Sequence, residues 1–185
     1  MKDLINSSIQ KHSEALSLVD TDIIVSASNI ILDAISKNKK IFWCGNGGSA
    51  SQANHLSAEL IGGMYQKKIK PFKSICLNVD TAFITAWSND DSFDNIFVRQ
   101  LEALYQSGDI LIGLSTSGNS PNIVKVAKFA TSNKMQVISL TGNDGGKLGN
   151  HSDININIPI KSTQRIQEMH ILIGHILCDI IESSS

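Results

Sequence analysis

The sequence predicts an α/β fold in which a mostly parallel five-stranded sheet is covered by helices on both faces and preceded by two N-terminal helices. Most of the candidate strands are continuous apolar runs, as expected for strands buried on both faces of a parallel sheet. Segments with apolar residues at helical spacing alternate with these runs, which indicates right-handed crossovers between parallel strands. With 185 residues, the chain has the length of one domain, 1–185.

The composition excludes several classes of protein. Lys and Arg total 16 against 17 Asp and Glu, so the net charge of −1 provides no basic surface for nucleic acid. No apolar run is long enough to span a membrane, and the N-terminus has no apolar secretion signal. The three cysteines, Cys44, Cys76 and Cys178, form no CxxC pair, and their odd number argues against a disulfide framework. We therefore expect a cytoplasmic protein with no nucleic-acid or membrane partner.

The first 38 residues predict two amphipathic helices. Residues 2–18 have apolar positions at helical spacing, and a second helix is expected over Thr21–Ser36 with Asp20 as its N-cap. Because both helices precede the first strand, they are not crossover helices. We expect residues 1–38 to cover a sheet edge and to pack on another subunit, while residues 40–182 form the α/β core.

A strand–turn–helix unit opens the core. Ile41–Cys44 is an apolar run that predicts a buried strand, a turn extends from Gly45 to Ser49, and helix-forming residues begin at Ala50. A glycine turn before a helix N-terminus makes an anion site, because free backbone N–H groups and the helix dipole both favour negative charge. The pair Gly62-Gly63 is expected to end this helix.

The remaining elements continue the alternation. Four further strands are expected over Lys73–Leu77, Asp109–Leu114, Met135–Leu140 and Asp153–Ile158. The last of these alternates Ile with Asp or Asn, which is typical of an edge strand with one solvated face. The other helices are expected over Asp80–Trp87, Asn95–Gln106, Pro121–Asn133 and Thr163–Ile181, with a helical turn at Lys147-Leu148 and polar loops at 88–92 and 141–146. Sheets of this kind bind ligands at the carboxyl ends of their strands.

A second loop rich in hydrogen-bond donors follows the third strand. It contains the amide of Asn119 and four hydroxyl side chains, Ser115, Thr116, Ser117 and Ser120. Hydroxyl and N–H groups can surround phosphate oxygens without a lysine. The alternative is an ordinary Ser/Gly turn that only caps the next helix. Because the loop is dense in donors and lies at the ligand-binding end of the sheet, the sequence favours phosphate binding.

The first glycine turn has a rival interpretation as a dinucleotide site. Gly45, Gly47 and Ala50 satisfy the relaxed G-x-G-x-x-A fingerprint, which is weak when it stands alone. Asp80 follows Ala50 by 30 residues, which is later than the usual position of a ribose-binding acid. A Walker A site is excluded, because no Gly-Lys-Ser/Thr follows the turn.

Two helices carry polar residues that could form one site. His55 and Glu59 are four residues apart and so share a helix face, which fits a metal pair, an acid–base pair or a surface salt bridge. The last helix places Gln167 and His175 on one stripe of a nearly all-apolar surface. A histidine in such surroundings is more often a satisfied core residue, and His170 competes with His175 on this helix. A polar pair on each helix favours a shared site.

These motifs together resemble the phosphoheptose isomerases, which are sugar isomerase (SIS) domain proteins. The resemblance rests on CGNGGSAxxxxHxxAEL at 44–60, SNDxxF at 88–93, LIGLSTSGNSPN at 111–122, LTGNDGGKL at 140–148 and RIQEMHILIGHILCDIIE at 165–182. It covers about residue 41 to the C-terminus and, more loosely, the two N-terminal helices, and HxxxE combined with RIQExHxxxxH is its most specific part. The chain departs from the family pattern at Gly63, Met64, Trp87, Ser88 and Gln164.

The resemblance implies an activity and an assembly. Members interconvert sedoheptulose 7-phosphate and D-glycero-D-manno-heptose 7-phosphate, which implies an aldose–ketose isomerase acting through an enediol in heptose biosynthesis for bacterial surface glycans. It also implies a homotetramer of flavodoxin-like α/β/α subunits with sites at subunit interfaces. The alternatives are a non-catalytic, protein-binding SIS tetramer of the replication-initiator-associated type and an isomerase of a related phosphosugar.

The resemblance further implies a set of site residues. We expect Glu59 to be the catalytic base and His175 the acid. The family implies one zinc ion per subunit, at positions that match His55, Glu59, Gln167 and His175. A zinc ligand role would leave Glu59 less free as a base, and the sequence leaves both roles open. Substrate contacts are expected at Asn46, Gly47, Gly48, Ser49, Glu59, Asn89, Asp90, Ser115, Thr116, Ser117, Ser120 and Gln167.

Overall fold

A computed structural model describes residues 1–65 and 70–184 of the chain. It begins with the two expected helices, α1 (Lys2–Leu16) and α2 (Thr21–Ser36). Asp20 caps α2 as predicted, because its Oδ1 atom accepts hydrogen bonds from the backbone N–H groups of Asp22 and Ile23. Helix α2 packs on the last helix and on the last strand, whereas α1 buries only Ala15.

The five strands form one fully parallel sheet in the order β2-β1-β3-β4-β5. They are β1 (Ile41–Gly45), β2 (Ser74–Cys76), β3 (Ile110–Ser115), β4 (Gln136–Gly142) and β5 (Ile154–Ile158). Every residue of β1 and β3 is buried, which explains their continuous apolar sequences. Strand β5 lies at one edge of the sheet, as its alternating sequence predicted.

Helices cover both faces of the sheet. They are α3 (Gly48–Gly62), α4 (Thr81–Asp90), α5 (Ile96–Leu104), α6 (Pro121–Ser132), α7 (Gly146–Gly149) and α8 (Thr163–Ser183), with a short 3-10 helix at Phe93–Asn95. Apolar residues of α2, α3 and α8 pack on one face, and those of α5, α6 and α7 pack on the other. The predicted three-layer α/β/α architecture is therefore confirmed.

The strand order places a topological switch point between β1 and β3. The order 2-1-3-4-5 is that of flavodoxin-like folds, in which ligands bind where neighbouring strands continue into helices on opposite faces. Helix α3 leaves β1 toward one face, and α6 leaves β3 toward the other. The glycine turn and the hydroxyl-rich loop therefore flank the same crevice.

Several predicted boundaries were wrong. Helix α3 begins at Gly48, not Ala50, because Gly47 adopts a φ of 55° and serves as the N-cap. Helix α4 continues to Asp90 through the expected loop, and the N–H of Asp91 still donates to Trp87 O. Helix α5 ends at Leu104, because Tyr105 is extended, with φ −71° and ψ 157°. Strand β2 has three residues, whereas the prediction gave five.

No single helix within residues 1–65 and 70–184 is long and apolar enough to cross a bilayer. Only α1 and α2 taken together pass that test of length and composition, and they are bent by 65° at the break between them.

Candidate active site

The side chain of Asn78, in the turn that follows β2, fixes the start of the glycine turn. The Asn78 amide accepts a hydrogen bond from Gly45 N at 3.1 Å and donates one to Gly45 O at 2.9 Å. A Cβ atom on Gly45 would lie 2.5 Å from Ser49 O, so only glycine lets the chain turn this tightly into α3. The first turn of α3 is thereby held at the carboxyl end of β1.

A pair of amides joins the glycine turn to the hydroxyl-rich loop. Asn46 Nδ2 donates to Asn122 Oδ1 at 2.8 Å, and Asn122 Nδ2 donates to Asn46 Oδ1 at 2.9 Å. Asn122 is buried at the start of α6. Because each amide satisfies the other, the two loops keep a fixed separation across the crevice.

Hydrogen bonds between its own residues stabilise the hydroxyl-rich loop. The Oγ atoms of Ser115 and Ser120 lie 3.0 Å apart, and Ser117 Oγ accepts from Asn119 N at 3.1 Å. Gly118, with a φ of 62°, packs its backbone against the loop that precedes α7. Thr116 and Ser117 line a cavity at the end of the loop. Phosphate binding by this loop stays a prediction.

Gln167 of α8 closes the crevice beside the glycine turn. Its Nε2 atom donates to Ser49 Oγ at 3.4 Å, and a Cβ on Gly48 would lie 2.8 Å from that nitrogen. Gln52 Nε2 donates to the Gln167 backbone carbonyl at 2.7 Å, which ties α3 to α8. The predicted substrate residues Gly48, Ser49 and Gln167 are therefore in contact in the folded chain.

Two histidines and a carboxylate meet further along α3 and α8. His55 Nε2 lies 2.8 Å from His175 Nε2, and the rings are nearly perpendicular at 83°. His55 Nε2 also lies 3.5 Å from Glu59 Oε1. The side chain of His55 is 47% exposed and that of Glu59 24% exposed, so this His–Glu cluster opens to solvent. The cluster thus brings together His55 and Glu59 of one predicted pair and His175 of the other, whereas Gln167 contacts Ser49.

Known proteins show a similar sequence and fold. The SIS domain profile matches residues 6–142. A phosphoheptose isomerase from Helicobacter hepaticus is 46% identical over 185 residues, which cover 99% of this chain and 94% of that protein. The chain belongs to the phosphoheptose isomerases, within the SIS domain family.

Solved phosphoheptose isomerases superpose closely on this chain. The structure from Neisseria gonorrhoeae has a TM-score of 0.92 and 37% sequence identity, with 98% of each chain covered. The structure from Francisella tularensis has a TM-score of 0.90 and 36% identity, and covers 98% of this chain and 96% of its own. The family resemblance and the flavodoxin-like SIS fold expected from the sequence are confirmed.

The zinc set that the phosphoheptose isomerase motifs imply is only partly assembled. Within residues 1–65 and 70–184, no group of three or more His, Cys, Asp or Glu side chains is arranged to hold a metal ion. The donors of the His–Glu cluster nevertheless suit zinc, since two imidazole nitrogens and a carboxylate oxygen come together there. Gln167 precedes His175 by eight residues, about 12 Å along the helix, and its amide contacts Ser49. The four-residue zinc set stays a prediction.

His170 does not take part in the site. It is fully buried, and its Nε2–H donates to the Thr141 carbonyl at 3.0 Å, while its Nδ1 atom has no partner. Burial lowers the pKa of His170 from 6.5 to about 4, and the bond to Thr141 opposes this shift only in part. Of the two histidines on α8, His170 is the core residue and His175 the one at the site.

His170 should make the protein sensitive to mild acid. The unfolded chain binds a proton at this residue below pH 6.5, whereas the native state binds it only near pH 4, so stability falls as pH drops between these values. We expect a loss of about 2 kcal/mol between pH 7 and pH 5 from this residue. In His170→Gln, which keeps a donor but does not titrate, that part of the loss should disappear. Denaturant unfolding of the unmodified protein and of His170→Gln at pH 7 and pH 5 measures this loss of stability. Equal losses in the two proteins would contradict the lowered pKa of His170.

Asn89 and Asp90 lie apart from the other predicted residues. They are exposed at the end of α4, where Asn89 Nδ2 donates to Asp90 Oδ1 at 2.9 Å. Among the hydrogen bonds of the described residues, none joins this pair to the glycine turn or to the hydroxyl-rich loop. Their role as substrate contacts remains a prediction.

Sequence reasoning missed the two asparagines that fix the loops, Asn78 and Asn122. Asn122 stands inside the motif LIGLSTSGNSPN, and Asn78 follows the second strand. The available signal was the position of Asn78 just after a strand and of Asn122 in the first turn of the helix that follows the next strand of the sheet, because polar residues at that end of a parallel sheet lie near its ligand crevice.

Proposed function

We propose that this protein is an aldose–ketose isomerase that converts sedoheptulose 7-phosphate to D-glycero-D-manno-heptose 7-phosphate, in heptose biosynthesis for bacterial surface glycans. The observation that carries the proposal is the arrangement along α8. Thr163 lines the cavity at the hydroxyl-rich loop, Gln167 touches the glycine turn, and His175 touches His55. Helix α8 thus extends from the expected phosphate loop to the His–Glu cluster, and relatives named phosphoheptose isomerase support the substrate.

The phosphate end holds the substrate without touching the reacting carbons. Hydroxyl groups of Ser115, Thr116, Ser117 and Ser120 and backbone N–H groups of the loop can surround the phosphate oxygens. Binding energy from this remote group can be used to position C1 and C2 at the chemistry.

The chemistry needs one base and one acid. Glu59 removes a proton from C1 of the ketose, which gives an enediol, and returns it to C2 to give the aldose. His175 donates a proton to the C2 oxygen as the enediol forms and takes the proton of the C1 hydroxyl as the aldose forms, so that it ends the reaction protonated as it began. His55 connects the two groups, since it lies within ion-pair distance of Glu59 and within hydrogen-bond distance of His175.

We include a zinc ion in this proposal. His55, Glu59 and His175 would hold it, with Gln167 as the fourth residue of the family pattern. When bound, zinc supplies Lewis-acid polarisation of the sugar oxygens.

We also propose a cytoplasmic homotetramer with sites at subunit interfaces. Helix α1 leaves Leu4, Ile5, Ile9 and Leu16 between 46% and 72% exposed, which favours burial against another copy. The cysteines Cys44, Cys76 and Cys178 are free and buried, in accord with a reducing compartment. Light scattering of the purified protein tests the assembly, and a monomeric mass would contradict it.

An isomerase assay tests the function. The purified protein should convert sedoheptulose 7-phosphate to the heptose 7-phosphate, as followed by chromatography of the two sugars. Treatment with a chelator should lower turnover at least tenfold, and zinc should restore it. If no aldose forms with or without zinc, the result would favour the non-catalytic, protein-binding alternative. Faster turnover of another phosphosugar in a substrate panel would favour the second alternative, an isomerase of a related phosphosugar.

A further inference from the structure

A cavity of about 250 Å³ lies at the carboxyl ends of β3, β4 and β5. One wall is the hydroxyl-rich loop, through Thr116 and Ser117. The opposite wall is the connection between β5 and α8, through Lys161 and Thr163, and Asn143 contributes from the end of β4. None of the site residues expected from the sequence lies on that opposite wall.

The charge at this cavity comes from Lys161. The hydroxyl-rich loop, residues 115–121, contains no Lys or Arg, although a phosphate monoester carries nearly two negative charges at pH 7. Lys161 is exposed, and in the described ranges 1–65 and 70–184 no carboxylate lies within ion-pair distance of its ammonium group. Its charge is therefore available to a ligand.

The backbone fixes the position of Lys161. Asn143 N donates to the carbonyl of the preceding residue, Ile160, at 2.9 Å, and Ile160 N donates to Ile158 O at 2.7 Å. The connection is thus hydrogen-bonded both to the end of β4 and to its own strand. A lysine on such a fixed backbone loses less conformational freedom on binding than one on a loose loop.

The N-terminus of α8 faces the same cavity. Ser162, its N-cap residue, makes no side-chain capping hydrogen bond, and Thr163 of the first turn lines the cavity. The free N–H groups of this 21-residue helix favour an anion in the same place as the lysine does.

We propose that Lys161 and the first turn of α8 form the second wall of the phosphate site, with Lys161 providing its positive charge. This inference rests on the proposed function for the identity of the phosphosugar. Lys161 is a positioning residue, since it acts on the phosphate, which is remote from C1 and C2. Its removal weakens binding of phosphorylated ligands and leaves the chemical step intact.

Three variants test the proposal. Lys161→Met removes the charge, Lys161→Arg retains it, and Lys128→Met removes one charge from an exposed position of α6 outside the cavity. For Lys161→Met we expect KM for sedoheptulose 7-phosphate to rise about five- to tenfold with kcat within about twofold, and a weaker dependence of KM on salt. Lys161→Arg should recover most of the affinity, and Lys128→Met should behave as the unmodified protein.

Direct titration with inorganic phosphate separates this inference from the isomerase function. Binding of phosphate, followed by calorimetry, should weaken in Lys161→Met by the same factor as KM, and unfolding temperatures should match. That measurement needs no turnover, so it holds whichever sugar is the substrate. Equal phosphate affinity in Lys161→Met and Lys128→Met, or no phosphate binding by the unmodified protein, would overturn the proposal.

Discussion

Glu59→Gln is expected to lower kcat for sedoheptulose 7-phosphate by about a thousandfold. The amide has nearly the shape of the carboxylate, so the contact with His55 can be kept, but it cannot accept a proton from carbon. Phosphate binding should change less than about twofold, because the hydroxyl-rich loop and Gln167 are separate from this side chain. Steady-state kinetics together with phosphate titration measure the two effects on one preparation.

Glu102→Gln is the matched control for this prediction. Glu102 is an exposed residue of α5 that pairs with Arg99 at 3.2 Å, far in the fold from α3. The Glu102→Gln substitution removes the same charge as Glu59→Gln and should leave kcat unchanged. Metal content should be measured on both variants, because loss of zinc from Glu59→Gln would show a ligand role in addition to that of the base. Near-normal turnover of Glu59→Gln would remove this residue from the mechanism.

The sheet and the site loops could be predicted because local sequence determines them. Strands β1 and β3 are buried on both faces, so their sequences are apolar up to the last residue of β3, Ser115, and the donors at these strand ends mark the ligand end of the sheet. The boundaries of the elements depended on contacts that the local sequence does not show. The start of α3 at Gly48 follows from the positive φ of Gly47, and the residue before that turn, Gly45, is hydrogen-bonded to Asn78, which is 33 positions away in the sequence.

The apolar periodicity of α8 predicted which face of the helix carries the site residues. It did not predict which residue each of them contacts. Gln167 and His175 share a stripe, yet one contacts Ser49 and the other His55. Their partners depend on how α3 lies against α8, where a Cβ on Gly174 would overlap the side chain of Leu56. Such a contact between distant segments is set by tertiary packing and leaves no sign in either helix alone.

The mutual amide pair of Asn46 and Asn122 illustrates the same limit. Each asparagine is an ordinary loop or helix-start residue by sequence, and the two are 76 positions apart. Only the neighbouring placement of β1 and β3 brings them together, at the switch point that the strand order creates. This connection between the two ligand loops could therefore be recognised only once the fold was known.

Gly118→Ala is expected to destabilise the protein by about 2–4 kcal/mol and to weaken phosphate binding more than tenfold. Gly118 has a φ of 62°, which alanine adopts only with strain. Its Cβ would overlap the Gly145 carbonyl and lie 2.9 Å from Gly146 N, so the clash is with backbone that cannot rotate away. Relief requires the hydroxyl-rich loop to separate from the loop before α7, which breaks the bond from Leu148 N to Gly118 O.

Gly62→Ala separates this clash from the general effect of adding a methyl group. A Cβ on Gly62 meets nothing within 4 Å, and its φ is not in the left-handed region, so alanine should be neutral or slightly stabilising at this end of α3. Denaturant unfolding and phosphate titration of both variants measure the difference. Because the two substitutions are chemically identical, equal stability and equal phosphate affinity would show that the hydroxyl-rich loop does not depend on its contact with Gly145. A loss confined to Gly118→Ala would show that the loop before α7 holds the phosphate cradle in shape.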